Sequence, residues 1–449
     1  MSEDATLNEF VGSNPDEIKE GKKPELIKGA AWSTVEHIPD GWTVNNVESD
    51  INILSGNNFS SEYFVEEGGV PLIRIRDLAE DETTVDFDGD YDSKYLISQH
   101  DLLVGMDGEF EPHLWTGPRA LLNQRVCKIE PENQYNKIFF RYAIEKPLFY
   151  IQKSIAGTTV KHLSQSNIND LNLPTPPRPE QRKIATVLHT VDRAIEKTEK
   201  IIEQVARLKK GVAQNLFREG LNAEKTKQTW LGEIPSDWDL VRFEELIESS
   251  RNGIYKQEDA YGGTTPILKM GHMFDEINFE GGDMERLEME RNEIEKYRLN
   301  EGDLLFARRS LNVEGAGECT LIGDLNEITV FESSLIRVRL EREAHPMFFA
   351  QYFEGPVGSK SIERIVTTTT ASGIAGSDLK NLLVPKPDKK VQKEIAEKLS
   401  LYDSKEAILK QEKCRFQRLR KSLMQDLLSG TVRTTDTNIQ VPDEIAQHG

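Results

Sequence analysis

The chain has 449 residues, 37% of them hydrophobic, 29% charged and 8% aromatic, with a net charge of −20. That is too long for one ordinary core and suggests two to four folded units, while the apolar content excludes general disorder. No apolar run approaches the roughly 18 to 20 residues that span a bilayer, the first ten residues are acidic where a secretion signal is basic and then apolar, and the three cysteines are too few and too scattered for a disulfide framework or a CxxC metal site. The expectation is a cytoplasmic protein with no membrane partner.

In chain order, residues 1–29 lack periodicity and read as a disordered acidic tail. Residues 30–178 mix short β-type runs, such as Val70 to Ile75 and Arg125 to Ile129, with a predicted helix over Lys137 to Tyr150. Residues 179–222 read as one helix. Pro179 suits its first turn, Glu180 the positive end of its dipole and Gly220 its stop. Along it Leu188, Val191, Ile195, Thr198, Ile202, Val205, Val212 and Leu216 follow the alternating spacing of a coiled-coil seam. Residues 223–387 hold a linker and a second mixed region, with runs at Thr320 to Ile322 and Ser334 to Arg339 and a predicted helix over Ala344 to Gln351. Residues 388–433 read as a second helix ending near Gly430, its seam carried by Leu399, Tyr402, Leu409, Phe416, Leu423 and Leu427. Glu406, Lys413 and Arg420 interrupt that seam, so its middle is expected to pack less well. Residues 434–449 read as a C-terminal tail.

The chain is written twice. Ile38-Pro39-Asp40-Gly41-Trp42 recurs as Ile234-Pro235-Ser236-Asp237-Trp238 at an offset of 196, and Asp101-Leu102-Leu103 as Asp303-Leu304-Leu305 at an offset of 202. Gln181, Ile184, Ala185, Leu188, Asp192, Arg207, Leu208, Lys210, Gln214 and Leu216 are then matched by Gln392, Ile395, Ala396, Leu399, Asp403, Arg418, Leu419, Lys421, Gln425 and Leu427, all at one offset of 211. A drifting offset followed by a fixed one marks a variable globular part joined to a rigid helix. The acidic total hides local basic stretches: Pro179 to Asn222 carries nine Lys/Arg against six Asp/Glu, and Asp388 to Arg433 twelve against seven. An acidic body with such stretches is compatible with local contact to nucleic acid.

The plan resembles the specificity subunits of Type I restriction-modification systems, in which a target-recognition domain and a long helix are each repeated. The resemblance is strongest at Leu173-Pro174-Thr175-Pro176-Pro177-Arg178-Pro179-Glu180-Gln181-Arg182-Lys183-Ile184-Ala185, preceded by Gly157-Thr158-Thr159-Val160-Lys161-His162-Leu163, and at Leu423-Met424-Gln425-Asp426-Leu427-Leu428-Ser429-Gly430. The second junction departs from the first, with Val391-Gln392 in place of Glu180-Gln181. The resemblance implies an α+β fold, two target-recognition domains of mixed strands and helices each followed by a long spacer helix, the two helices forming an antiparallel coiled coil with the domains at its opposite ends. It also implies a non-catalytic subunit that reads a bipartite sequence in double-stranded DNA. The modification (methyltransferase) and restriction (motor-nuclease) partners would carry S-adenosylmethionine, ATP and Mg, and this chain no cofactor.

The residues agree with that division of labour. No G-x-x-x-x-G-K-[ST] phosphate loop occurs, since Gly355 to Ser361 has the wrong spacing and reads as a helix-ending turn, and there is no N-P-P-aromatic methyltransferase motif, paired histidine ligand spacing or nuclease-like acid cluster outside the N-terminal stretch. Candidate DNA contacts are Arg74, Arg76, Thr158, Thr159 and Lys161 in the first half and Lys269, Arg308, Arg309, Thr368 and Thr369 in the second. Arg and Lys read guanine edges, and Thr positions phosphates. Each alone also reads as a solvated charge or a strand-face threonine. Arg308-Arg309 is the best placed, beside the glycine-rich Gly315-Ala316-Gly317. The rival readings are a coiled-coil scaffold without DNA binding, which the acidic charge favours and the two large variable regions oppose, and a fused methyltransferase or nuclease, which the missing motifs oppose.

Overall fold

Two long helices divide the chain. The computed structural model describes residues 38–132, 134–155, 161–221, 225–257, 260–273, 277–310, 315–368 and 372–447. Its four longest helices are α1 (Lys137–Ser154), α2 (Arg178–Glu219), α3 (Pro346–Glu354) and α4 (Lys389–Leu428). The chain splits into two compact units, residues 1–196 with 415–449, and residues 197–414. Each long helix is therefore shared, beginning in the unit it follows and ending in the other.

In the first unit, Ile51–Ser55, Val126–Pro131, Leu102–Gly105 and Pro112–Leu114 form an antiparallel sheet in that order. Leu102, Val104, Cys127 and Ile129 of this sheet are fully buried, as are Phe139, Phe140, Ile144 and Leu148 of α1. The same core takes in Ile184, Ala185 and Leu188 of α2 and Leu427 of α4. A second, five-stranded sheet contains a parallel pair, Val70–Ile73 beside Ala120–Leu122, over a small core of Phe59, Leu72, Phe87 and Leu121. The strand at Val70 stops at Ile73, short of the expected Ile75. Arg74 caps a one-turn helix, Ile75–Asp77, whose last carboxylate accepts the Arg74 backbone N–H at 2.8 Å.

The second unit repeats the plan. Ile247–Asn252, Leu335–Leu340, Leu304–Ala307, Cys319–Ile322 and Asn278–Phe279 form one sheet, and Tyr261–Leu268 runs parallel to Val330–Phe331 in another. Its core joins Phe243, Phe306, Phe348, Phe349 and Phe353 to Phe217 of α2 and to Ile395 and Leu399 of α4. Gly355 ends α3 as expected, but the chain re-enters a helix at Gly358–Glu363.

Each unit closes in the same way. The strand that enters the domain pairs antiparallel with the strand that leaves it, Thr43↔Thr175 through Asn46↔Asn172 in one unit and Asp239↔Lys386 through Arg242↔Leu383 in the other. The leaving strand runs straight into the long helix. Both helices end at a glycine of positive φ, Gly220 at 68° and Gly430 at 72°. Only a residue without Cβ adopts this left-handed cap cheaply, and a Cβ there would also press on Pro235 or Pro39.

Within each unit the two helix segments run antiparallel. In the first, Asp192 pairs with Arg420 while the earlier Glu180 pairs with the later Arg433; in the second, Glu199 pairs with Lys413 and Lys209 with Asp403. Two of the charges that interrupt the α4 seam are thus used across it, and the third, Glu406, pairs along its own helix with Lys410 at 2.9 Å. Along the seam Leu409 is buried and Tyr402 and Phe416 are half-buried, while Leu401 and Ile408, which lie off it, are 70% and 59% exposed.

Residues 434–447, expected as a tail, are packed into the first unit. Lys183 donates to the carbonyls of Thr434, Thr435 and Thr437 at 2.8 to 3.1 Å. The Asn136 amide donates to the Ile445 carbonyl at 2.8 Å, and Ile445 is 1% exposed at the end of a one-turn helix, Asp443–Ala446. A segment without periodicity can be held this way because carbonyl-to-cation and carbonyl-to-amide bonds need no repeating pattern. The tail expected over residues 1–29 lies outside the described residues. Among the described residues no helix is long and apolar enough to cross a membrane, and no group of three or more His, Cys, Asp or Glu is arranged to hold a metal ion.

Candidate nucleic-acid interface

The joint between domain and helix fixes where each candidate side chain can lie. Gln181 is 1% exposed; its carbonyl oxygen accepts the Asn136 backbone N–H at 2.8 Å and its amide donates to the Pro176 carbonyl at 2.9 Å. Gln392, also 1% exposed, makes the same two bonds with His345 at 2.7 Å and Pro387 at 2.8 Å. One buried amide therefore ties the start of the domain helix to the start of the long helix in both units. Leaving a buried amide half-bonded is costly, which accounts for the shared glutamine. The departure from Glu180 to Val391 has a separate cause. Glu180, 2% exposed, accepts from Arg433 at 2.8 Å and from the Trp42 indole N–H at 3.0 Å. Burial pushes its pKa up, but Arg433, Trp42 and the Thr434 backbone outweigh this and hold it below the ordinary value. Its partner Arg433 follows α4, and the joint at Val391 carries no such contact among the described residues.

A second shared device pins the helices to the domains. Arg420 donates to Asp192 at 2.6 Å and, in a fork, to both oxygens of Glu145 at 2.9 and 2.7 Å, while Asp192 also accepts from Arg141 and Tyr142. In the other unit Lys209 sits 2.5 Å from Asp403 and 2.8 Å from Glu354. Asp192 and Asp403, and Lys209 and Arg420, are repeat partners at the offset of 211.

On this frame the described candidates fall into three groups. Arg74 and Lys269 occupy equivalent positions before one-turn helices and are internally paired. Arg74 contacts Asp77 and Thr84; Lys269 lies 2.8 Å from Glu285 and 4.6 Å from the centre of the Tyr261 ring. Arg76 is exposed on its turn, and the neighbouring Ile75 closes on Gly105 at the end of a core strand. Thr158, Thr159 and Thr369 lie outside the described residues.

The third group is assembled by the fold. In the second unit Arg309–Ser310, Ser372–Gly373 and Thr367–Thr368 form a small sheet, with Arg309 opposite Gly373 and Ser310 opposite Ser372, itself opposite Thr368. Arg309 and Thr368 are exposed; Arg308 is half-buried, with its guanidinium 3.4 Å from the Ser333 carbonyl. Arg308, Arg309 and Thr368, some sixty residues apart in sequence, thus share one edge of the domain. In the first unit Lys161 occupies the corresponding edge, its carbonyl accepting Gly108 N–H at 3.0 Å, and the surrounding charges are Asp107, Arg125 and His162. None of those three stood out in the sequence. His162 lies inside the run that carries the family resemblance, but its partner Asp107 is 55 residues away and only strand pairing joins them.

Comparison with known proteins places this arrangement. A family model described as the Type I restriction modification DNA specificity domain matches residues 39–207 and again 235–415. The Type I restriction enzyme EcoBI specificity subunit of Escherichia coli is 29% identical over 444 residues, covering 91% of this chain and 90% of that protein. The MjaVIII specificity subunit of Methanocaldococcus jannaschii is 23% identical over 414 residues, covering 89% and 95%. The crystal structure of the Type I restriction-modification S subunit from M. genitalium shares the fold, with a TM-score of 0.56 at 16% identity over 89% of this chain and 98% of that one. A duplicated domain, a duplicated helix and two matches to one family model, one on each repeat, agree: the chain belongs to the Type I restriction-modification DNA specificity family.

Proposed function

We propose that this chain supplies sequence choice to a Type I restriction-modification complex, each unit reading one half of a split target in double-stranded DNA. As a member of its family it is a specificity subunit and not a catalytic one. Methyl transfer from S-adenosylmethionine and ATP-driven translocation and cleavage then belong to modification and restriction partners, and no cofactor belongs to this chain.

One observation carries the reading. The two units keep the same joint at Gln181 and Gln392 and the same pins at Arg420 and Lys209, while the equivalent domain edges carry different residues, Asp107, Arg125 and His162 against Arg309, Ser334 and Gly373. A shared frame with diverged edges suits two readers of different sequences on one ruler. Local cations at these edges would contact phosphates and base edges despite the acidic total, and such contacts release counterions.

The test is methylation mapping of DNA from cells carrying this chain with its modification subunits. Replacing Ile234 to Pro387 with the same region of another family member should change one half of the target, and adding one heptad to both helices should change only the gap between halves. A continuous target, or a domain exchange that alters both halves, would overturn the proposal. Purified chain alone should incorporate no label from S-adenosylmethionine into DNA.

A further inference from the structure

The corresponding edges of the two units can be aligned residue by residue through their backbone bonds. In the first unit Met106 N–H donates to the Arg125 carbonyl at 2.8 Å and Leu163 N–H donates to the Met106 carbonyl at 2.7 Å. In the second, Arg308 N–H donates to the Ser334 carbonyl at 2.7 Å and Ile374 N–H donates to the Arg308 carbonyl at 3.0 Å. The same pair of bonds matches Met106 with Arg308, Arg125 with Ser334 and Leu163 with Ile374. It follows that Asp107 corresponds to Arg309 and His162 to Gly373, and both of these pairs are bridged across the strands.

At these three positions one unit carries Asp107, Arg125 and His162 and the other Arg309, Ser334 and Gly373. Each set holds an exposed guanidinium, but it comes from opposite sides of the joint. In the first unit Asp107 is only 11% exposed at its side chain; one oxygen contacts Arg125 and the other lies 2.7 Å from the His162 Nδ1. The backbone beside it is also fixed, because Gly108 N–H donates to Lys161 and its carbonyl accepts from Gln152, both at 3.0 Å. Arg125 and His162 are 62% and 67% exposed. A surface ion pair of that exposure adds little to stability, so the arrangement is better understood as orienting the arginine. A guanidinium has five N–H donors in a planar fork, and Asp107 occupies only part of it.

Building on the DNA-reading role above, we propose that Arg125 is the base-reading residue of the first unit, with Asp107 as its positioning residue, and that Arg309 does the equivalent work in the second unit from the opposite strand. The ligand chemistry is the guanine major-groove edge, whose O6 and N7 accept a forked guanidinium. Because the two arginines reach the edge from different strands, the two half-sites are expected to place the recognised guanine differently.

Selection from a randomised duplex library, by the full chain with its modification subunits, tests this. Wild type should return a bipartite sequence with a guanine in each half. Arg125→Gln should move the preference from guanine to adenine at one position of one half, and Arg125→Lys should lower the preference there about tenfold. Asp107→Asn should flatten the same position, and Arg309→Gln should act only in the other half. A shift of base preference is something a merely structural defect would not produce, and unchanged thermal unfolding would exclude one. Arg125→Gln weakening every sequence equally, changing the other half or changing nothing would overturn the inference while leaving the parent reading intact. If wild type itself returns no bipartite sequence, the parent reading fails and this inference with it.

Discussion

The helix pins of the two units do the same job with different chemistry. In the first unit Arg420 forks across Glu145 and reaches Asp192, a carboxylate that also takes Arg141 and Tyr142. In the second, Lys209 is a single ammonium between Asp403 and Glu354. Guanidinium geometry fits two carboxylates at once, whereas an ammonium acts as a point charge. Burial raises the pKa of Glu354 even though Lys209 pulls it down, yet its side chain stays 45% exposed to water. The repeat fixed where a charge must cross from helix to domain and left free how firmly it is held.

Removing each cation should expose that difference most sharply. Arg420→Ala removes the fork from Glu145 and leaves Asp192 and Glu145 to share Arg141, and should cost about 2 to 3 kcal/mol. Lys209→Ala should cost about half as much, because the exposed Glu354 carboxylate can be hydrated in place of its partner. Calorimetric unfolding of both variants checks this, and equal losses would mean that the two pins are equivalent after all.

Next in size is the latch that, among the described residues, only the first unit has. Arg433→Ala should cost about 2 kcal/mol by leaving Glu180 without its main partner. The Glu180 carboxyl is held below its ordinary value of 4.5. Its contribution is therefore complete above that value and lost as pH falls through the lower folded value. Acid titration of stability should show this loss in wild type and a smaller one in Arg433→Ala. Val391→Glu at the equivalent joint should gain no such acid-sensitive stability.

At the reading edge, Arg309→Ala should relax base choice in one half-site by about 1 to 3 kcal/mol without altering the other, as read by methylation of targets mismatched one base at a time. The smallest effect belongs to Arg76→Ala. Exposed on its turn, Arg76 is proposed to touch a phosphate, so its loss should weaken binding to all sequences alike and lower the slope of log K against log salt by about 1. A sequence-dependent effect of Arg76→Ala would move it into the reading edge.

Much of this was legible in the sequence, for identifiable reasons. Heptad spacing and the fixed offset of 211 revealed the two helices, because coiled-coil packing imposes a period that local residues must obey. Gly220 and Gly430 marked their ends through backbone sterics alone. The duplicated Ile-Pro-x-x-Trp segments and the paired glutamines marked the joints, since each serves one local contact repeated in both units. Arg308, Arg309 and Thr368 were named from residue type, and the fold brings them to one edge.

Other features depended on partners far apart in the chain. Asp107, Arg125 and His162 meet only because three strand ends converge, and no spacing in the sequence encodes that meeting. Arg74 and Lys269 looked like free cations and are spoken for by Asp77 and Glu285. The last residues looked like a tail because the bonds that hold them, from Lys183 and Asn136, lie some 250 to 310 residues upstream. Periodicity reports contacts that recur along one element. Whether a single charge is free or paired is decided by what the tertiary fold sets beside it.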